Sequence, residues 1–419
     1  LLWALYLASP LTAVPAFLDR LYAHTDYARR RSAPYTTEHY HLGNMRRLLS
    51  ALGHPEKSFR ILHLAGTKGK GSTSHFLSRI IREKVRRVGL YTSPQNVDER
   101  DRIQVNGKPV SWTIFRESFE RIESVLEKKK ITATVFEIFT AMAFCIFREQ
   151  KAGWAVVEVG LGGRLDSTNV VNPEASVITP IHFDHMDKLG HTLAAIASEK
   201  AGIIKRGKPV FSAPQFPEAR RVIVRKALEM KAPISFSRRK PGGAWEHADL
   251  PPFQRLNLSL ALQTAANFGF VPEKKGFLDR ILAPIPGRFQ EAGPFIFDGA
   301  HNPFAIGHLV KAVESFDRQK GVSPKTVVLF FAMPDKPILK MEKLFPKSWT
   351  RVFYDLKLSY VSTTHLPALK GKFPDLPVLH SLEDFKKIFK PRTRYVVTGS
   401  FSLVSFFLKH LPEIRKWKR

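Results

Sequence analysis

One cysteine, Cys145, stands among 419 residues. It cannot close an intramolecular disulfide, and its place in the apolar run 141–147 makes it a packed thiol in a reducing compartment. No apolar run reaches the ~18 residues that a membrane span requires. The stretch 1–14 lacks the basic flank of a signal peptide. A soluble, cytoplasmic protein is therefore expected. Low-complexity tracts and internal repeats are missing as well, and 25 Gly with 29 Pro leave a composition close to the globular average, excluding collagen-like and fibrous classes.

Acid is the other scarcity. Lys and Arg number 66 against 37 Asp and Glu, a formal charge of +29, which points to an anionic partner: nucleic acid, a phosphorylated substrate, a polycarboxylate or lipid headgroups. The basic clusters (29–31, 79–87, 128–130, 220–226, 238–240 and 415–419) are dispersed and lack the interleaved aromatics of single-strand binders. They read as solvated faces, not as a nucleic-acid groove.

What is present is an alternation of buried strands and helices. Arg60–Ala65, 154–159 and 176–179 read as strands, with helices at 72–87 and 193–204. Near-continuous apolar strands between helices predict a parallel sheet covered on both faces. Residues 235–254 read as loop, and 256–268 as a helix. A second series follows: strands 295–297, 326–331, 351–354 and 394–397, and helices 304–316, 336–345, 382–389 and 403–411. The expected organisation is an N-terminal α/β unit over 1–285, a linker at 286–294 and a second α/β unit over 295–419, with a cleft between the two.

Between strand 60–65 and the next helix lies Gly66-Thr67-Lys68-Gly69-Lys70-Gly71-Ser72. A glycine-rich turn opening a helix presents backbone N–H groups and the positive end of the helix dipole to an anion; Lys70 adds a point charge and Ser72 a hydroxyl. The strict P-loop spacing fails twice, since Leu64 stands where its first glycine belongs and Gly71 intervenes before Ser72. Glu158 ends a buried strand. A carboxylate there needs a cation, and the expected candidates are a metal or, alternatively, Arg164 at a sheet edge. The strand 176–179 runs into Asp184 and His185; it reads as the parallel neighbour of the Glu158 strand, so both could converge on one magnesium–nucleotide site. His63, His182 and His191 read as packing or surface residues. The segment 298–303, Asp298-Gly299-Ala300-His301-Asn302-Pro303, is either a second strand-to-helix crest facing the cleft or a turn with an Asx-type cap.

Taken in order, these segments resemble the folylpolyglutamate synthase and dihydrofolate synthase family of the Mur ligase superfamily. The resemblance runs through GTKGKGS at 66–72, Tyr91-Thr92-Ser93-Pro94, Asn106-Gly107, Phe136-Glu137, VEVGLGGRLDSTNVV at 157–171, Asp184-His185 and Ser198-Glu199-Lys200 through Lys205. It continues with Pro286-Gly287-Arg288, DGAHNP at 298–303, Asp335-Lys336 and Thr398-Gly399-Ser400. It implies a P-loop-containing, parallel-sheet ATPase domain followed by a Rossmann-like Mur ligase domain. The implied activity is ATP-dependent joining of L-glutamate to a folate or dihydropteroate carboxylate through an acyl phosphate.

By the same resemblance, Gly66, Thr67, Lys68, Gly69, Lys70, Gly71 and Ser72 would hold the phosphates, Ser93 and Glu158 one Mg²⁺, and His185 a second. Lys200 would carry a carbamate. Asn257 would read adenine, Asp298 would meet the ribose, and Arg288 and His301 the phosphates. The family commonly has Asn where Lys68 stands, so this extra charge either approaches the phosphates or turns to solvent. Gln95-Asn96, Phe253, Ile285 and Pro337 are further departures, which bear on the substrate more than on the reaction. Another Mur-type amino-acid ligase and a nucleic-acid-stimulated P-loop NTPase are the alternatives. The protein is expected to act as a monomer, without membrane or nucleic acid.

Overall fold

A computed structural model describes residues 17–24, 42–95, 98–239, 250–271, 277–331, 337–356, 365–390 and 392–418. The stretch 1–14, the basic cluster 29–31, Asn96 and Asp335-Lys336 lie outside these residues. The chain divides into two compact units, with the boundary between Ala283 and Pro284.

The first unit contains, among the described residues, eight strands: β1 (Arg60–Ala65), β2 (Val88–Tyr91), β3 (Ile103–Val105), β4 (Lys108–Pro109), β5 (Trp154–Glu158), β6 (Ala175–Ile178), β7 (Val210–Ser212) and β8 (Ile234–Phe236). Their order in the sheet is β4-β3-β2-β5-β1-β6-β7-β8. From β2 to β8 neighbours pair in parallel, so each return needs a crossover and both sheet faces are covered. This is why β1 and β5 are apolar almost throughout and buried at every position except Arg60. At one edge β3 and β4 run antiparallel, joined by Asn106-Gly107, both at positive φ as a tight hairpin demands. The Asn106 side chain also accepts from the Val88 amide and donates to the Arg86 carbonyl, fastening the hairpin to β2.

The helix Val135–Glu149 opens with a capping box, in which Thr134 and Glu137 satisfy each other's backbone amides. That explains Glu137 as a cap. Its apolar face buries Phe139, Phe144 and Phe147 against the sheet, together with Cys145, whose thiol burial pushes up to about 11.

The second unit contains β9 (Arg288–Ala292), β10 (Phe295–Asp298), β11 (Thr326–Phe330), β12 (Thr350–Tyr354), β13 (Val378–Leu379) and β14 (Arg394–Thr398), in the order β13-β12-β11-β14-β10-β9. All pairs are parallel except β9 with β10. Residues 286–294, expected as linker, therefore contain an edge strand turned back by Gly293. The loop expected at 235–254 is likewise shorter, because β8 extends to Phe236 and the next helix begins at Pro252. The helix expected at 336–345 spans Ile338–Glu342.

Candidate active site

The functional side chains of the first unit gather at the C-terminal end of its parallel strands. One expectation needs correction: β5 and β6 are not neighbours, since β1 lies between them and pairs with both. The phosphate loop leaves β1, so it emerges with the Glu158 strand on one side and the strand leading to His185 on the other. The crest is thus built around the loop.

Two glycines of that loop could be nothing else. Gly66 has φ +148°, and a Cβ there would sit 1.9 Å from the Thr179 hydroxyl oxygen. Gly69 has φ +85°, and its Cβ would fall 2.1 Å from Asn257 Oδ1. Asn257 is itself buried and donates to Gln254 Oε1 at 3.3 Å. The residue implied as the adenine reader is thus seated directly against the phosphate loop.

The helix Lys70–Arg82 begins at Gly69, and its first-turn amides have no intrahelical acceptors. The amides of Thr67 and Lys68 are committed elsewhere, both to the Pro180 carbonyl at 3.0 and 3.2 Å. The amides at the helix start are donors that an anion would meet. Ser72 is buried in that first turn.

Lys70 Nζ donates to the Gly66 carbonyl at 3.2 Å and lies 3.9 Å from Glu158 Oε1. Glu158 is 2% exposed, and its Oε2 accepts from the Ser93 amide at 3.3 Å. The alternative partner, Arg164, is excluded: β5 is an interior strand, and Arg164 forks onto Glu199 at 2.9 to 3.2 Å. Lys200 Nζ reaches the same Gly66 carbonyl from the other side, at 3.0 Å. Burial, then the neighbouring Lys70 charge, lowers its ammonium from the usual 10.5 to about 7. A lysine so placed is half neutral near physiological pH.

Lys68 is not turned to solvent: its ammonium, 22% exposed, pairs with Asp184 Oδ2 at 3.3 Å. His185 follows, exposed and in the left-handed region. His182 stacks edge-on against Phe216, whereas His63 is fully buried, bonded through Nε2 to the Thr168 hydroxyl at 2.8 Å. Burial, with the Lys205 charge second, lowers His63 to about 3, so it stays neutral.

Sequence reasoning missed Asp166. Its buried carboxylate accepts from the Leu161 and Thr168 amides and the Thr168 hydroxyl, pinning the turn that follows Glu158. Burial raises its pKa, against the pull of these hydrogen bonds. An Asp after a glycine-rich run is a known Asx-turn signal and could have marked it.

In the second unit, Asp298 ends β10. Its Oδ2 accepts from the Phe289 amide at 2.8 Å and its Oδ1 from the Ala300 amide at 2.9 Å. His301 Nδ1 donates to the Gly299 carbonyl at 2.8 Å, which in the neutral ring makes Nε2 the acceptor. Arg288 lies over the Phe401 ring, 4.3 Å from its centroid. Asn302 caps the helix Pro303–Gln319, with Pro303 in its first turn, so the Asx-type cap is present.

A strand–phosphate loop–helix crest with a buried carboxylate beside the loop lysine defines a nucleotide-using α/β enzyme. Residues 64–213 match the Mur ligase middle domain. The chain is 36% identical over 337 residues to the dihydrofolate synthase/folylpolyglutamate synthase of Bacillus subtilis (strain 168), covering 72% of this chain and 77% of the relative. It superposes with a TM-score of 0.77 on Mycobacterium tuberculosis folylpolyglutamate synthase complexed with ADP and AMPPCP, at 26% identity, covering 90% of this chain and 96% of that one. A folylpolyglutamate synthase complex with AMPPCP and folate superposes with a TM-score of 0.71 at 28% identity, covering 94% and 98%. The chain belongs to the folylpolyglutamate synthase/dihydrofolate synthase family and is an ATP-dependent ligase.

Proposed function

We propose that the chain joins the amino group of L-glutamate to the carboxylate of a folate or dihydropteroate at the expense of ATP. The substrate carboxylate oxygen attacks the γ-phosphorus and ADP leaves. The glutamate nitrogen then attacks the acyl carbon of the mixed anhydride, loses a proton, and expels inorganic phosphate carrying the former carboxylate oxygen. No covalent bond to the protein forms, so the side chains contribute by positioning and by neutralising charge.

The observation that carries this reading is the convergence at Gly66: two lysines on one carbonyl, with the Glu158 carboxylate beside Lys70 at the helix start. Lys70 and the amides of the first helical turn hold the phosphates of ATP. By the family resemblance Asn257 is assigned to the adenine, Asp298 to the ribose, and Arg288 and His301 to the phosphates.

Among the described residues no three His, Cys, Asp or Glu side chains gather into a metal cage. Magnesium does not demand one, being commonly held by one or two carboxylates with substrate phosphates and water. The donor set therefore fits it: Glu158 and Ser93 would hold one ion and His185 a second, and Mg²⁺ so held would neutralise the phosphate oxygens. A carbamate on Lys200 belongs to the same proposal, supported by the depressed ammonium, because only the free amine adds CO₂. Glutamate as co-substrate, a cytoplasmic location and a monomeric state complete it. Among the described residues no helix is long and apolar enough to cross a membrane.

The test is ADP release with dihydropteroate and with tetrahydrofolate, each with and without L-glutamate. Glutamate-dependent release with either substrate supports the assignment and shows which of the two activities is present. Release with neither, or only with nucleic acid or another amino acid, overturns it.

A further inference from the structure

The phosphate loop and the segment after β6 are joined by successive contacts. The Thr67 and Lys68 amides donate to the Pro180 carbonyl, and the Thr67 hydroxyl donates to the His182 carbonyl at 3.1 Å while accepting from the His182 amide at 3.1 Å. The last contact is the only one of these made by a charged side chain, Lys68 on Asp184 Oδ2, in a pair that is 22% and 11% exposed. Asp184 uses its other oxygen to accept from the His185 amide at 3.1 Å. His185 in turn has φ 48° and ψ 42°, in the left-handed region that few non-glycine residues adopt, and it starts the short helix Met186–Leu189.

We propose that Lys68 is a positioning residue: it holds Asp184, and through Asp184 the left-handed His185, in register with the phosphate loop, and it does not bind phosphate itself. Two features support this. The ammonium already has a carboxylate partner that is mostly withdrawn from water, where a charge-assisted contact is strongest. The Lys68 amide, moreover, points to Pro180, so the backbone at this position faces the β6 side of the loop. The loop and His185 then move as one body. The proposal rests on the reading that His185 serves phosphoryl transfer.

The experiment uses the full chain with Lys68→Met, Lys68→Arg, Asp184→Asn and the Lys68→Met/Asp184→Asn double variant. In nucleotide-free, metal-free buffer, amide hydrogen exchange across 181–190 is expected to speed up about tenfold in Lys68→Met and to return toward wild type in Lys68→Arg. In turnover, Lys68→Met is expected to lower kcat about tenfold with the KM for ATP held within about twofold, and the double variant to be no worse than either single one.

A raised KM for ATP with unchanged exchange would make Lys68 a phosphate ligand and overturn the proposal, as would unchanged exchange and turnover together. If wild-type protein shows no glutamate-dependent ADP release, the functional reading fails, while the exchange comparison still decides whether Lys68 holds this segment.

Discussion

At the scale of single residues, half-buried Lys70 and buried Glu158 form a 3.9 Å pair, which under the proposed function serves a triphosphate. Lys70→Ala and Glu158→Gln are expected to cut kcat/KM by about a hundredfold or more, as removal of a preorganised charge at a phosphoryl-transfer site does. Thermal midpoints should stay within a few degrees of wild type for both. Steady-state kinetics beside a melting curve checks this, and turnover near wild type would contradict it.

Lys200 carries a pH signature. Its folded-state value, about 7, lies below the ordinary 10.5. The protonated form is therefore disfavoured in the folded chain, a penalty that is complete below about 7, fades as pH rises toward 10.5 and vanishes above it. Lys200→Met is accordingly expected to raise the melting temperature more at pH 6 than at pH 9, while abolishing activity. In the wild type, activity should climb through pH 7 as the amine loses its proton, and bicarbonate should increase it if a carbamate forms. A pH-independent stability difference between the variant and wild type would count against a depressed lysine.

At the scale of elements, the phosphate loop tolerates no side chain at its first glycine. Gly66→Ala is expected to cost about 1–3 kcal/mol through a positive φ, with a further penalty from the clash with Thr179, and to lower both the melting temperature and ATP affinity. Calorimetry and nucleotide titration measure these separately; a variant with wild-type values in both would mean that the loop is more plastic than its geometry indicates.

Strands such as Arg60–Ala65 and Trp154–Glu158 were legible in the sequence because burial on both faces leaves a nearly unbroken apolar run. The strand Arg288–Ala292 was not: at a sheet edge, with Glu291 exposed, it lacks that run and follows a Pro-Gly turn that reads as a linker. Sheet order was hidden for a different reason. Nothing local records that β1 inserts between β5 and β6, which is a matter of which crossover packs on which face. The Lys68–Asp184 pair escaped for the same cause, since its two residues come from loops after different strands, whereas the partners of Asp166, Leu161 and Thr168, are local and its turn was open to recognition.

At the scale of the whole molecule, two α/β units and a charge of +29 meet the needs of chemistry on ATP and polycarboxylates. The family motifs carry the reaction class, whereas the departures at Gln95, Phe253 and Ile285 leave the choice between dihydropteroate and folate to experiment. The account's central claim is that a substrate carboxylate is phosphorylated by ATP before glutamate attacks. The most direct measurement supplies the accepted folate or dihydropteroate with ¹⁸O in that carboxylate, adds ATP and L-glutamate, and determines the isotope in the released phosphate. The account predicts one ¹⁸O atom in each phosphate formed with the amide product; phosphate carrying only oxygen from ATP and water would contradict it.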